Sequence, residues 1–185
     1  MKQASPLFAT SLMTGVMAMC VMGTVLGGCA VTDRSSGEAP ALSKADGLAM
    51  APLANNTETP QAGQRAVSIA QTLMTSYGYS NVMRYPASAD DETLFDPAKP
   101  DRQQAVLAWA QKQNARYLLT GSVNEWRYKV GVDGEPAVAL TFEIIDVETG
   151  KLIWSSSGSR TGWSRDAVAG VAQKLERSLL QPLAH

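Results

Sequence analysis

The 185-residue chain has a single histidine, at its last position, and only two cysteines, Cys20 and Cys29, both near its beginning. With His185 at a frayed terminus, neither a Ser-His-Asp or Cys-His arrangement nor a zinc site of His and Cys is within reach. No metal site is expected. No GxGxxG or Walker-type loop occurs, so no nucleotide or other cofactor is expected. Basic clusters are missing as well. The 16 lysines and arginines are set against 17 acids, a net charge of -1, which argues against nucleic acid as a partner. Distant carboxylates brought together by folding can do glycosidase chemistry, but no such pair stands out. The chain therefore reads as non-enzymatic, with a glycan hydrolase as the remaining catalytic alternative.

Charge is also absent from residues 7–26, which follow a lone basic residue, Lys2. This is the pattern of a secretory leader. It closes on Leu26-Gly27-Gly28-Cys29, which resembles the lipobox of bacterial lipoproteins. The resemblance implies cleavage after Gly28 and lipidation of Cys29. Small residues at 27 and 28 let a peptidase approach, and the thiol forms the thioether. Ala30 after the cysteine implies sorting to the outer membrane. The other reading is an uncleaved anchor, because the apolar run is near bilayer-spanning length; Gly15, Gly23 and several hydroxylated residues weaken it as a spanning helix. The expected organisation is a signal peptide over 1–28, lipidated Cys29 with a flexible linker to 46, and one α/β periplasmic domain over 47–185. The linker reading rests on the small, polar, aperiodic composition of Ala30–Asp46.

Within the domain, the spacing predicts a strand at 47–53, with Pro52 confining it to an edge or to its end. A helix follows over 61–77, with Ala66, Ile69, Ala70, Leu73, Met74 and Tyr77 on one stripe and Gly78 as its stop. A short strand is predicted at 81–85, then a helix capped by Asp101 and striped by Val106, Trp109 and Ala110. The centre of the chain is 117–165. Val138, Leu140, Phe142 and Ile144 alternate with Ala139, Thr141 and Glu143, as in a half-buried strand. Leu152 and Trp154 are expected to share one face of the next strand. Asp146–Lys151 is a tight connection in which Gly150 is free to take positive φ. Ahead of these, apolar residues switch from odd positions (Leu119, Val123) to even ones (Trp126, Tyr128, Val130). That change of parity predicts a β-bulge near Asn124-Glu125. The last helix is expected to start after Ser164 as its N-cap, with Asp166 near its positive end. The fold class is therefore α/β: a mixed sheet with a C-terminal three-stranded antiparallel meander and helices packed on it.

Two features suggest a surface role. Residues 87–100 carry Asp90, Asp91, Glu92 and Asp96, and Asp133 and Glu135 lie in the 131–136 connection. These acids are either plain solvated surface, an acidic face toward a cationic ligand, or, for the first group, a Ca²⁺ loop, whose spacing does not match an EF-hand. Trp163 sits among Arg160, Gly162, Ser164 and Arg165, a polar setting unlike that of a core tryptophan. Trp beside Arg suits a membrane interface; a hydrophobic staple over the last helix is the competing reading. Trp109, Trp126 and Trp154 lie on apolar stripes and are expected in the core or at subunit contacts.

Leu48–Arg65, with its Asn-Thr turn, resembles periplasmic lipoproteins related to the curli secretion channel protein and to lipoprotein activators of penicillin-binding proteins. Leu119-Thr120-Gly121-Ser122-Val123, Glu125–Val130, Gly134-Glu135-Pro136-Ala137 and Gly162-Trp163-Ser164-Arg165 carry a narrower resemblance, to the PelC family of Pel exopolysaccharide export. That resemblance implies an outer-membrane lipoprotein with no enzymatic role, assembled as a homo-oligomeric ring, a dodecamer. The ring guides a cationic amino-sugar polymer toward an export porin, helped by an acidic lining, and Trp163 turns to the membrane lipid. The alternative is a protein-binding lipoprotein that regulates a cell-wall synthase or another secretion channel. The short linker favours the first, because seventeen residues span about 60 Å at full extension.

Overall fold

The computed structural model describes residues 32–86, 100–130 and 134–185. The leader, Cys29, Asp90, Asp91, Glu92, Asp96 and Asp133 lie outside them. In chain order the strands are β1 (Thr32–Ser36), β2 (Gly47–Met50), β3 (Ala54–Asn55), β4 (Val82–Arg84), β5 (Ala115–Tyr128), β6 (Pro136–Asp146) and β7 (Leu152–Thr161). The helices are α1 (Ala62–Ser76), α2 (Pro100–Lys112) and α3 (Val168–Leu180), followed by a 3-10 turn over Gln181–Ala184. One mixed sheet runs β1-β7-β6-β5-β2-β4, with β3 paired to the far half of β5.

The antiparallel β5–β6–β7 meander lies at the centre of this sheet. Val138, Leu140, Phe142 and Ile144 are fully buried, and burying each such side chain contributes about 1.5–3 kcal/mol. The bulge falls where the change of parity predicts it, as a register shift between Val123 and Glu125. Asp146 and Lys151 close the β6–β7 turn with a 2.9 Å backbone bond, and Gly150 takes φ 66°. The Asp146 carboxylate accepts from the Thr149 N–H and hydroxyl and pairs with Arg116 at 2.8 Å. Those contacts hold its carboxyl below the ordinary range, the Thr149 bonds most of all.

The two faces of the sheet are covered unequally. Leu73 and Met74 of α1 and Leu175 and Leu179 of α3 pack with the buried β6 residues in one large core. On the other face a small cluster joins Val106 and Ala110 of α2 to Ala49, Leu118 and Ile145. Trp126 and Trp154 are buried in the large core. Trp109 packs beside the small one, edge-on to Tyr85 with ring centres 5.3 Å apart.

Several expectations are corrected. Part of the stretch read as a flexible linker is a strand: Thr32–Ser36 pairs antiparallel with β7, from Thr32 opposite Arg160 to Ser36 opposite Ser156. Its sequence, TDRSS, has no apolar period, because an edge strand held by backbone bonds needs none. The Arg34 guanidinium anchors it further by donating to the Ser178 carbonyl at 2.9 Å. β2 is an inner strand between β5 and β4 and not an edge; Pro52 lies just past its end, the other place expected for it. Leu152 and Trp154 do not share a face: a register shift at Ile153 leaves Leu152 exposed and Trp154 buried. Asp101, expected just ahead of the helix, falls inside α2, whose described residues begin at Pro100. Ser164 does not cap α3, which starts at Val168 after an extended Ala167.

Candidate functional site

Tyr128, Lys129, Trp163 and Arg165, all exposed, meet at one end of the sheet. There β5 ends, β6 begins, β7 ends and β1 begins, as the pairs Tyr128–Pro136, Ala137–Thr161 and Thr32–Arg160 require. Trp163 stands two residues beyond β7 at the tip of a tight turn. Its N–H donates to the Asp166 carboxylate at 3.0 Å, and the Asp166 N–H donates to the Trp163 carbonyl at 2.8 Å. Asp166 is thereby spent on the turn, which is why it does not serve the start of α3. The indole is 59% exposed, so Trp163 does not act as a staple over α3.

Gly162 sets this turn against the domain. Its N–H donates to the Pro136 carbonyl at 2.9 Å. A Cβ there would sit 2.5 Å from Val171 and 2.8 Å from the Asp166 carboxylate, so only glycine fits. From the neighbouring hairpin the Tyr128 hydroxyl donates to the Asp166 carbonyl at 3.4 Å. Lys129 closes the described part of that hairpin through a 2.7 Å bond from its N–H to the Glu135 carbonyl. Arg165 and Glu135 are exposed and Arg160 is half-buried. The structure thus brings Trp163, Arg160 and Arg165 to one end of the sheet together with Glu135. The other acidic candidates, Asp90, Asp91, Glu92, Asp96 and Asp133, lie outside the described residues, as does Cys29.

Beside this end, on the face away from α1 and α3, lies an open groove of about 750 Å³. The 56–60 loop forms one wall, and the bulged part of β5 with Ala139 of β6 forms the other. The Asn55 carboxamide shapes the loop by accepting from the Thr57 N–H at 3.1 Å and the Thr57 hydroxyl at 2.8 Å. Asn56 bridges the walls with a 2.9 Å bond to Asn124, and the Thr59 hydroxyl donates to the Trp126 carbonyl. The groove carries two acids that sequence reasoning passed over, Glu58 and Glu125. Glu125 is paired with Arg127 at 2.9 Å. The Asn-Asn-Thr turn and the bulge were separate signals in the sequence, and only their juxtaposition makes a site. Among the described residues no helix is long and apolar enough to cross a membrane.

Comparison with known proteins adds three findings. A family model described as peptidoglycan-synthase activator LpoB matches residues 35–159. No curated protein matches the chain. Among solved structures, the PelC dodecamer from Paraburkholderia phytofirmans in space group P6 is 43% identical, with TM-score 0.72. That match covers 83% of this chain and 98% of the relative. A leucine-to-methionine variant of the PelC dodecamer from the same organism, in space group C2, is also 43% identical, at TM-score 0.69, over 82% of this chain and 98% of the other. The lipoprotein GNA1162 of Neisseria meningitidis shares the fold at TM-score 0.53 and 19% identity, over 75% of this chain and 98% of that one.

Proposed function

Because the chain belongs to the LpoB family of lipoproteins and is a homologue of PelC, we propose that it is a non-enzymatic, outer-membrane-tethered ring component that assists export of a cationic exopolysaccharide. Twelve copies form the ring, as in the PelC dodecamer. The partners are outer-membrane lipid, the amino-sugar polymer and an export porin.

The observation that carries this reading is the register of β1. Cys29 lies three residues before Thr32, and Thr32 pairs with Arg160 at the end of the sheet that bears Trp163. Three residues span about 10 Å at most. A lipid on Cys29 therefore draws this end of the domain to the bilayer. Trp163 then sits at headgroup depth, with Arg160 and Arg165 beside the phosphates. The docked strand also separates this reading from its alternative. An activator that reaches a cell-wall synthase needs a long free tether, and with β1 docked from Thr32 only two residues, 30 and 31, stand between Cys29 and the sheet.

The acids complete the reading. We assign the polymer-guiding role to Asp90, Asp91, Glu92, Asp96, Asp133 and Glu135, with Glu58 and Glu125 of the groove adding to them. A path lined by one charge sign concentrates a polymer of the other.

The test is complementation of a null strain with the wild-type chain or with Cys29→Ser. The wild type should fractionate with the outer membrane, run as a dodecamer by native mass spectrometry and restore surface polymer. Cys29→Ser should do none of these at the outer membrane. A monomeric wild-type protein, or normal export by Cys29→Ser, would sink the proposal.

A further inference from the structure

Five large apolar residues are exposed among the described ones: Tyr128, Val130, Leu152, Ile153 and Trp163. Leu152 and Ile153 begin β7, at the far end of the sheet. The other three belong to the end where β1 starts. Val130 is 98% exposed, one residue beyond the Lys129–Glu135 closure of the hairpin. Tyr128 is 52% exposed, and its hydroxyl ties the hairpin to the Trp163 turn through the Asp166 carbonyl. A second tie runs from the Gly162 N–H to the Pro136 carbonyl. The hairpin and the turn are therefore held as one body.

We infer that Tyr128 and Val130 form a second membrane contact beside Trp163, so that each protomer meets the bilayer through two tips. The inference rests on the reading that Cys29 is lipidated and seats this end on the membrane. A fully exposed aliphatic side chain is covered by none of the described residues, and the stretch from Cys29 to Thr32 is too short to hold the domain away from the lipid. The order of residues suits an interface. The Tyr128 ring, with its polar tip, belongs at headgroup depth; Val130 goes deeper; the Lys129 ammonium between them reaches phosphate. Arg165 supplies a further cation at the same end, and among the described residues Glu135 and Asp33 are exposed acids there.

The test uses the mature, lipidated protein in vesicles of phosphatidylethanolamine and phosphatidylglycerol. Cys20 lies in the leader and Cys29 is consumed by the thioether, so an introduced cysteine is the only free thiol. An environment-sensitive dye is attached in turn at Val130→Cys, Trp163→Cys and Leu152→Cys. The Val130 dye should emit to the blue, lose intensity to brominated lipid and be shielded from iodide, with the Leu152 dye behaving oppositely. If brominated lipid quenches the Trp163 dye while iodide quenches the Val130 dye, the hairpin contact is refuted and the seating of this end stands. A Val130 dye shielded from both quenchers means a contact between copies and refutes the inference. Iodide quenching at both Val130 and Trp163, or lipid quenching at Leu152 alone, overturns the inference together with the orientation on which it rests.

Discussion

Glu176 offers a quantitative test of the packing. It lies on the buried side of α3 with Ala172, Leu175, Leu179 and Leu180, at zero exposure, and neither carboxylate oxygen has a hydrogen-bond partner. Burial pushes its carboxyl well above the ordinary value of 4.5, so the folded protein holds the proton that an unfolded chain releases. The contribution to stability is complete below the unfolded value and is lost as pH rises toward the folded one. Across that window stability falls by about 1.4 kcal/mol per pH unit. From pH 5 to 7 the loss of one such proton changes stability by at most about 2.7 kcal/mol. For a domain of this size the same quantity is roughly 5 to 11 °C of melting temperature. Glu176→Gln carries no proton to lose. It should match the wild type near pH 5 and melt above it by up to that margin at pH 7. Glu176→Met removes the unpaired polar atoms as well and should add a further 1–3 kcal/mol or so. Differential scanning calorimetry of the mature protein at one fixed concentration reads both, because assembly makes melting concentration-dependent. Parallel pH profiles for wild type and Glu176→Gln would refute the assignment of Glu176 as a buried neutral acid.

Trp163→Ala should keep the fold, with a melting loss well below the 3–5 kcal/mol or so of a buried tryptophan, while polymer export drops; a collapse of the melting temperature would move Trp163 into the core. Gly162→Ala should destabilise by about 1–3 kcal/mol through overpacking against Val171 and Asp166, read by thermal melting alongside Trp163 fluorescence. Asp146→Asn should melt below the wild type near neutrality, with the gap closing as pH falls through the carboxylate range. The wild-type carboxyl is held low by Thr149 and Arg116, so its contribution is present above the unfolded value and lost in acid. A gap unchanged down to pH 3 would contradict that account.

The meander was legible because its burial is periodic: Val138 to Ile144 alternate, and the change of parity after Val123 announced the bulge. The same logic failed at Leu152, Ile153 and Trp154. Three consecutive apolar residues carry no parity, so the register shift there left no trace in the sequence. β1 was illegible for a different reason. The side chains from Asp33 to Ser36 are exposed, and the strand is held by backbone pairing, which composition does not encode. Ser164 looked like a helix cap by type and spacing, but the Asp166 carboxylate had already been taken by the Trp163 N–H, and the helix waited until Val168. Of the candidate site, the exposure of Trp163 was readable from its polar flanks. The groove was not, since Glu58 and Glu125 meet only because β3 runs alongside β5.

The pairing of β1 with β7 also has a mechanical meaning. Ladder bonds lie across the strands, so a pull along β1 from its first residue loads the five paired positions Thr32–Ser36 side by side. They resist in shear, unlike a strand peeled open from one end. The Arg34 bond to the Ser178 carbonyl adds a strut from that strand into α3. Tension arriving at Thr32, as a lipid on Cys29 would transmit under the proposed function, would therefore pass into the sheet and its core helix. The attachment yields only when the whole short ladder gives way together.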